Sequence, residues 1–343
     1  MRRRAGVRFR SPAMPNQLSL FKGPPSVPGR TPGVGPARVA GEVAALARAL
    51  PESVRLGTSS WAFPGWAGIV YDRAASETVL AREGLAAYAR HPCFRAVGID
   101  RTFYAPIPAL DFARYAAQVP AQFRFVVKSP SQVTDAFLHA DQGRPQGPNQ
   151  RFLDARFAVK HFVRPALEGL GDKCGPLLLQ FPPLGRDATR WPVRFAERLA
   201  GFLAALPKGP VYAVEVRDGE LVHGALAQAL NATGARYCFS VHTRMPSLAE
   251  QARRLAGLAV GALVARWNLR SGREYEAAKA QYAPFDRLVD ADPATRDELA
   301  QLAAATVRAG HPVFVTANNK AEGSAPLTVL ELGAAIRDAL AVP

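Results

Sequence analysis

The stretch Val211-Tyr-Ala-Val-Glu-Val-Arg-Asp218 predicts how the whole chain folds. Its alternation of residues is typical of a β-strand with two different faces. One face is apolar and the other ends in two opposite charges: Tyr212, Val214 and Val216 lie on the first, and Val211, Ala213, Glu215 and Arg217 on the second. Since an unpaired buried charge costs several kcal/mol, the second face must point into another polar environment. The carboxyl end of a barrel strand provides such an environment.

Seven other segments resemble this stretch in length and in ending on polar groups. Together they give eight predicted strands, at residues 54–60, 96–104, 123–128, 176–183, 211–218, 235–242, 261–268 and 312–319. The predicted helices lie at residues 39–50, 78–90, 109–118, 150–170, 192–205, 221–233, 295–309 and 327–340. This alternation predicts the α/β class and a (β/α)₈ TIM-type barrel, with its functional site at the strand C-termini.

The chain of 343 residues is predicted to contain one barrel preceded by a tail. Barrels of about 250 residues fold as one domain, so the length does not require two. Residues 1–38 are rich in Pro, Gly and Arg and have little apolar periodicity, which predicts a disordered tail. We interpret residues 39–52 as a linker helix and residues 53–343 as the barrel. The polar connection at residues 129–149 is long enough to form part of a lid or binding wall.

Positive charge is concentrated at the start of the chain. The first 40 residues contain eight basic residues and no acid, so they carry +8 of the formal charge of +15 and the remainder carries +7. Both parts are therefore basic, which favours polyanionic partners and nucleic acid first. An Arg-rich composition from a GC-rich genome is the alternative explanation.

The sequence predicts neither a membrane span nor a secretory signal. It has no run of eighteen apolar residues, and its basic start lacks the apolar core of a signal peptide. Cys93, Cys174 and Cys238 are widely spaced, odd in number and outside any CxxC pattern, as expected for reduced thiols. We therefore expect a cytoplasmic protein without a membrane partner.

An isolated apolar cluster, Gln17-Leu18-Ser19-Leu20-Phe21, lies inside the predicted tail. It resembles the pentapeptide with which bacterial polymerases and DNA repair proteins bind the DNA sliding clamp, Gln-Leu-(Ser/Asp)-Leu-Phe, and it matches at every position. Gln17 would supply a polar anchor, and Leu20 and Phe21 would supply apolar anchors. The motif thus predicts a sliding clamp as partner, and the alternative is a hydrophobic cluster that docks on the barrel.

The predicted strand ends also give the chain a family resemblance. Over about residues 53–340 it resembles the YecE-like family, a domain of unknown function, in six motifs: Gly57-Thr-Ser-Ser-Trp61 with Phe63-Pro-Gly-Trp66, Thr102-Phe-Tyr104, Phe125-Val-Val-Lys128, Leu179-Gln-Phe-Pro-Pro183, Val214-Glu-Val-Arg217 and Asn318-Asn319. The resemblance implies a barrel but no established reaction. The chain departs from the family pattern at Asp100, where Gly-Ile-Asp replaces Glu-x-Asn, and at Asn268-Leu269, which replaces His-Gly. If those positions act in relatives, this chain performs the chemistry differently or not at all.

Three charged residues at predicted strand ends are the candidate catalytic group. Glu215 and Arg217 share a strand face, and Lys128 follows the apolar run 125–127 at the end of its own strand. One interpretation is a base or ligand at Glu215, with Arg217 and Lys128 holding an anion through charge-assisted hydrogen bonds. The alternative is a buried ion pair between Glu215 and Arg217 that has no further role.

The loops after predicted strands seven and eight favour phosphate binding, as in many barrels. They carry polar and small residues: Arg266, Arg270, Asn318, Asn319, Lys320, Gly323 and Ser324. Aromatic residues predicted at the same end offer surfaces for bases or sugar rings. We therefore predict a substrate or phosphate site that contains Tyr104, Gln180, Arg266, Asn318, Asn319 and Trp61. Alternatively, the asparagines cap a helix and the aromatics pack under the loops.

No cofactor is predicted, since nucleophilic triads, a P-loop and a Gly-rich dinucleotide fingerprint are absent from the sequence. An alternative is one divalent metal held by Asp100, Glu215 and His242, because His242 is the only histidine predicted at a strand end. A retaining glycosidase needs two facing carboxyl groups about 5 Å apart, and Glu215 has no partner for that role except Asp100.

The leading hypothesis is a bacterial barrel protein that binds or processes nucleic acid or another phosphate ester, as a hydrolase or lyase, and that the sliding clamp recruits. Two alternatives stay open. One is a metabolic enzyme that acts on a small phosphorylated or sugar-like substrate. The other is a catalytically inactive adaptor that uses the barrel as a binding surface.

Overall fold

The structure is a computed structural model in which residues 33–139 and 145–342 are described. Within them, eight parallel strands form a closed barrel, and we number them β1 to β8 in chain order: Val54–Thr58, Ala96–Ile99, Arg124–Lys128, Cys174–Gln180, Tyr212–Glu215, Arg236–Val241, Leu263–Trp267 and Val313–Ala317. Each strand pairs with its neighbours in the sequence, and β8 closes the barrel by pairing with β1. The predicted TIM-type barrel is thus confirmed.

The predicted tail falls almost entirely outside the described residues. The pentapeptide Gln17–Phe21 lies there too. Residues 33–38, which the sequence analysis assigned to the tail, run against residues 70–72. The N–H of Ala37 donates to the carbonyl oxygen of Val70 at 2.9 Å, and the N–H of Gly35 donates to Asp72 Oδ1 at 3.1 Å.

All strands except β3 end earlier than the sequence predicts. Strand β2 ends at Ile99, and the short 3₁₀ turn Arg101–Phe103 follows instead of the predicted continuation to residue 104. Strand β5 likewise ends at Glu215 rather than at residue 218. Some polar residues of the predicted strand ends, among them Arg217, His242 and Asn268, lie beyond the last ladder pair and face the mouth of the barrel. Apolar alternation therefore predicts where a strand exists better than where its last ladder hydrogen bond lies.

Helices surround the barrel. Those of seven residues or more are Gly41–Ala49, Glu77–Glu83, Ala109–Ala116, Arg164–Leu170, Pro192–Ala204, Gly224–Thr233, Leu248–Arg254, Tyr275–Tyr282, Pro293–Arg308 and Ala325–Ala341. The shorter ones are Leu85–Tyr88, Ser131–Thr134, Ala155–Ala158, the π-helical turn Val159–Val163 and Arg186–Arg190. Helices Leu248–Arg254 and Tyr275–Tyr282 are missing from the prediction because each buries only two residues and so shows little apolar periodicity.

Two predicted helices are interrupted. The helix predicted at residues 78–90 divides at Gly84, where an added Cβ would lie 2.6 Å from the carbonyl oxygen of Leu80. The helix predicted at residues 150–170 begins only at Ala155 and passes through the π-helical turn Val159–Val163. Pro165 follows that turn, and its ring nitrogen cannot donate the hydrogen bond that an α-helix requires.

The core has an outer shell between strands and helices and an inner apolar layer inside the barrel. Val214 belongs to the outer shell and Ala213 to the inner layer, so the predicted alternation of this stretch is confirmed. The apolar layer takes one residue from each of six strands: Val126, Leu178, Ala213, Cys238, Val264 and Phe314. The barrel is therefore a packed core and not a channel.

Two further segments complete the described fold. The helix Gly41–Ala49 packs against the final helix Ala325–Ala341, and Arg95 donates to the carbonyl oxygens of Ala47 and Pro51 at 2.6 Å each. In the long connection, Phe137–His139 and Pro145–Pro148 pair as antiparallel strands. Within residues 33–139 and 145–342, no helix has the length and apolar character needed to cross a membrane.

Candidate functional site

Polar side chains lie above the apolar layer, towards the strand C-termini. Because side chains alternate along a strand, the residue two positions after each member of the apolar layer faces the same interior. These positions form what we call the charged layer: Lys128, Gln180, Glu215, Ser240, Arg266 and Thr316. Two positions further along, the chain supplies residues of the mouth: Pro182, Arg217, His242, Asn268 and Asn318. The strands thus bring polar groups from distant parts of the sequence around one axis.

A cavity of about 270 Å³ opens at this end of the barrel. Its charged lining residues are Asp100, Lys128, Arg217, Arg244, Arg266 and Lys320. The other residues that line it are Gln180, Pro182, Pro183, His242, Asn268, Leu269, Tyr275 and Asn318. Within the described part of the long connection 129–149, no residue lines this cavity.

Glu215 lies at the centre of the charged layer and is fully buried. One carboxylate oxygen forms an ion pair with Arg217 Nη2 at 2.5 Å and accepts from Ser240 Oγ at 3.0 Å, and the other accepts from Arg266 at 3.0 Å. Asn268 Nδ2 donates to the first oxygen at 3.3 Å. Burial raises the pKa of Glu215, but the guanidinium groups of Arg217 and Arg266 outweigh burial and hold that pKa at about 2. Glu215 is therefore ionised at neutral pH, with both oxygens engaged.

Arg266 joins the two carboxylates that line or underlie the cavity. One of its terminal nitrogens donates to Glu215, and the other donates to Asp100 at 2.9 and 3.2 Å from its two oxygens. Only about 4% of the Arg266 surface is exposed. This guanidinium lies between the two carboxylates, whereas a retaining glycosidase needs its carboxyl groups to face each other across a substrate.

Arg217 and Arg244 are also paired with acids. Arg217 forms an ion pair with Glu215 through Nη2, while its Nη1 atom is buried and has no hydrogen-bond partner among the described residues. Arg244 lies 3.3 Å from a carboxylate oxygen of Asp218, whose other oxygen accepts from the N–H of Leu184. The three arginines of the cavity are thus offset by three carboxylates.

Lys128 differs from these arginines because it has no acidic partner in the part of the chain that the structure describes. Its Nζ lies over the ring of Phe103, 3.7 Å from the ring centroid. Burial lowers the pKa of Lys128 to about 8, and the nearby carboxylates of Asp100 and Glu215 offset this effect only in part. The ammonium group therefore faces the cavity beside an aromatic ring, without a hydrogen-bond or ion-pair partner among the described residues.

Lys320 repeats this arrangement in the loop after β8. Its Nζ lies 4.4 Å from the ring centroid of Tyr275, and no described carboxylate pairs with it. Burial, followed by the positive charge of Lys279, lowers the pKa of Lys320 to about 8. The side chain of Asn318 holds the loop, since its Oδ1 accepts from the N–H of Lys320 at 3.1 Å. Two ammonium groups thus remain uncompensated in one cavity.

His242 lines the same cavity as a neutral side chain. Burial, followed by the charge of Arg217, lowers the pKa of His242 to about 4. Its Nδ1 accepts from the N–H of Arg244 at 3.3 Å, which assigns the ring proton to Nε2. Asp100, Glu215 and His242 do not converge as a metal-ligand set. In residues 33–139 and 145–342, no group of three or more His, Cys, Asp or Glu side chains is placed to hold a metal ion.

The residues predicted for substrate or phosphate binding divide into two groups. Gln180, Arg266 and Asn318 line the cavity. Asn319 does not, because its Oδ1 accepts from Trp66 Nε1 at 3.1 Å and from the N–H of Ala325 at 2.9 Å. It thereby ties the β1 loop to the start of the last helix, which is the capping role left open as the alternative.

The predicted aromatic surface is smaller than expected. Trp61 is buried in the core, where its Nε1 donates to the carbonyl oxygen of Ala81 and its ring packs edge-on against Tyr115. Tyr104 is 57% exposed and packs edge-on against Phe103, outside the lining of the cavity. A tryptophan in a loop buries a large apolar surface when it packs under the loop, so burial in the core is favoured over exposure at the mouth of the barrel.

Residues absent from the predicted site include Ser240, which donates to Glu215, and the cavity-lining residues Arg244 and Tyr275. Ser240 was detectable, because it is a polar residue in an apolar strand at the same alternation as Cys238. Arg244 and Tyr275 lie in a loop and in a helix that the sequence pattern did not predict, so nothing local indicated that they reach the barrel axis.

Comparison with known proteins agrees with this barrel. The sequence profile of the family described as "Protein of unknown function DUF72" matches residues 55–342. No curated protein matches the chain.

Two solved structures of DUF72 family proteins are similar in fold. One, from Enterococcus faecalis V583, superimposes with a TM-score of 0.56 at 17% identity, covering 82% of this chain and 95% of that one. Another, from Thermotoga maritima MSB8, superimposes with a TM-score of 0.52 at 20% identity, covering 81% of this chain and 97% of that one. At these identities the likeness concerns the fold alone.

Proposed function

Because the chain belongs to the DUF72 family, whose description assigns no function, we propose its function from the barrel cavity. We infer that the cavity binds a phosphomonoester, carried by a small molecule or by the end of a nucleic acid. One observation carries this proposal: three arginines are offset by three carboxylates, and two lysines are left without an acid.

The charge of the cavity favours a dianion. With the arginines compensated, the two ammonium groups of Lys128 and Lys320 leave a charge of two positive units in a concave space. A phosphomonoester carries a charge of about −2 at neutral pH and three strong acceptor oxygens. A phosphodiester carries only one negative charge, so the internal backbone of a nucleic acid matches the site less well.

The position of the donors supports the same ligand. Lys320 follows β8, and the loops after the last two strands are the usual phosphate site of barrels. His242 offers a neutral N–H donor, and Arg217 has a buried N–H donor that no described residue accepts. Such donors stay unsatisfied unless a ligand or water accepts from them.

Glu215 has a different role in this proposal from the one that the sequence suggested. A group with a pKa of about 2 is a weak base and is not protonated at neutral pH, so it cannot serve as a general acid there. Its two oxygens already hold Arg217 and Arg266. We therefore assign Glu215 to positioning these arginines and not to proton transfer.

Calorimetric titration of the full chain with ribose 5-phosphate, ribose and inorganic phosphate tests this function. We expect ribose 5-phosphate to bind, inorganic phosphate to compete with it, and ribose not to bind. Lys320→Met should weaken binding about tenfold or more, since a hydrogen bond to a charged group is lost. Lys208→Met, which changes an exposed lysine ahead of β5, should have no effect. Equal binding of ribose and ribose 5-phosphate would contradict the proposal.

The source of the phosphomonoester needs a separate comparison. A single-stranded oligonucleotide with a 5′-phosphate and the same oligonucleotide without it are titrated with wild type and with Lys320→Met. Binding that requires both the 5′-phosphate and Lys320 assigns the site to nucleic-acid ends, whereas binding of ribose 5-phosphate alone assigns it to small molecules. Mass spectrometry of the same samples separates an enzyme, which converts the ligand, from an adaptor, which does not.

We also propose that the pentapeptide Gln17–Phe21 recruits the protein to a sliding clamp. The support is the match at every position within a basic segment rich in Pro and Gly. A purified bacterial sliding clamp should retain the full chain in a pull-down, and Leu20→Ala combined with Phe21→Ala should abolish retention. Retention of the double variant, or no retention of the wild type, would remove this partner.

A further inference from the structure

The two uncompensated lysines of the cavity occupy different positions. Lys320 lies in the loop after β8, whereas Lys128 lies in the charged layer at the end of β3. In the barrel, β2 and β1 separate these two strands. A ligand whose phosphate binds at Lys320 would therefore extend another part of its structure towards Lys128.

The choice of lysine at these two positions is informative because the chain rarely uses it. Of 43 basic residues, only seven are lysines: Lys22, Lys128, Lys160, Lys173, Lys208, Lys279 and Lys320. The basic residues of the cavity that pair with carboxylates are all arginines, which keep their proton at any physiological pH. Lysine differs in that it can lose a proton and expose a nucleophilic lone pair.

The surroundings of Lys128 favour loss of its ammonium proton. Its Nζ lies on the face of Phe103, it has no described hydrogen-bond acceptor, and Arg217 and Arg266 line the same cavity. Desolvation and neighbouring positive charge are the two means by which proteins activate an amine as a nucleophile. The lowering of the pKa of Lys128 to about 8 agrees with this geometry.

We propose that Lys128 forms an imine with an aldehyde or ketone group of the ligand. The lone pair of neutral Nζ attacks the carbonyl carbon, a C–N bond forms, and the carbonyl π electrons move to oxygen. The nitrogen then gives up its two protons as the C=N bond forms, and both leave with the carbonyl oxygen as one water molecule. No oxidant, reductant or further reactant is needed. The inference rests on the proposed function in that the ligand is a phosphorylated aldehyde or ketone.

Pyridoxal 5′-phosphate is a suitable probe, because it carries an aldehyde and a phosphomonoester on one small ring. The full chain is mixed with it, the imine is reduced with sodium borohydride, and the modified lysines are mapped by peptide mass spectrometry. We expect Lys128 to be modified at least about tenfold faster than the exposed Lys160 and Lys208. The rate at Lys128 should rise with pH around a midpoint near 8. Lys128→Arg should keep the charge and abolish the fast reaction.

Two comparisons separate this inference from the proposed function. In the first, pyridoxal, which lacks the phosphate group, replaces pyridoxal 5′-phosphate. In the second, inorganic phosphate is added to compete with pyridoxal 5′-phosphate for the phosphate site. Fast modification of Lys128 that needs the phosphate and is slowed by inorganic phosphate supports both. Equal modification by pyridoxal and pyridoxal 5′-phosphate keeps the imine and contradicts the phosphate site. In a third outcome, inorganic phosphate competes with pyridoxal 5′-phosphate while Lys128 is not modified preferentially, or while Lys320 is modified in its place. Either result overturns the imine at Lys128 and keeps the phosphate site.

Discussion

Two parts of the cavity carry the same kind of charge and compensate it in opposite ways. Around Glu215, two guanidinium groups share the oxygens of one buried carboxylate, and Arg266 reaches a second acid at Asp100. At Lys128 and Lys320, the ammonium groups meet aromatic rings and no described acid. We call the first part the paired network and the second the lysine wall. Removing one partner of a buried neutralised pair is costly, whereas charges that have no partner are available to a ligand.

The largest expected effect comes from breaking the paired network. Glu215→Gln would leave Arg217 buried without its counter-charge, which should lower the free energy of unfolding by about 3–5 kcal/mol. Chemical denaturation at neutral pH measures this change. The matched control is Glu250→Gln, because Glu250 also lies between two arginines, Arg253 and Arg254, but on the exposed face of a helix. Equal effects of the two substitutions would mean that burial does not distinguish the network from a surface cluster.

The pH dependence of stability in acid tests the same network and should give a smaller effect. The folded pKa of Glu215, about 2, lies below the ordinary value of 4.5, so its stabilisation is present above pH 4.5 and is lost as pH falls towards 2. The wild type should therefore lose more stability than Glu215→Gln across this window. High salt should leave that difference largely intact, because the pair is buried. A difference that salt removes would place Glu215 in a solvated site.

The sequence predicted the strand residues of the cavity better than its loop residues. Alternation along the stretch that contains Ala213, Glu215 and Arg217 fixes which side chains face the interior, and the structure confirms that assignment for Ala213 and Glu215. The position of Arg266 follows in the same way from Val264, two residues before it. Strand residues are predictable because their direction has a period of two.

Residues in loops could not be placed in this way. Lys320 and Asn319 are adjacent, yet one faces the cavity and the other faces Trp66 and the last helix. Trp61, expected at the mouth, packs in the core. No period relates a loop residue to the barrel axis, because the direction of its side chain depends on contacts with segments far away in the sequence. The charge balance of the cavity therefore depends on tertiary contacts of loop residues that the sequence pattern does not predict.

The smallest expected effect concerns the lysine wall and has the opposite sign. Lys128→Met removes a desolvated charge and keeps an apolar chain over Phe103, so at pH 7 the free energy of unfolding should change by less than about 1 kcal/mol or rise. In the wild type the folded pKa, about 8, lies below the ordinary 10.5, so the unfolded chain binds more protons between these values. Wild-type stability should therefore rise relative to Lys128→Met from pH 8 to 10.5. Denaturation of both proteins across this range measures the difference, and Lys208→Met, at an exposed lysine, should show none. If Lys128→Met lowered the free energy of unfolding as much as Glu215→Gln, Lys128 would support the fold as the paired network does. The lysine wall would then not differ from the paired network in the way that its proposed ligand binding requires.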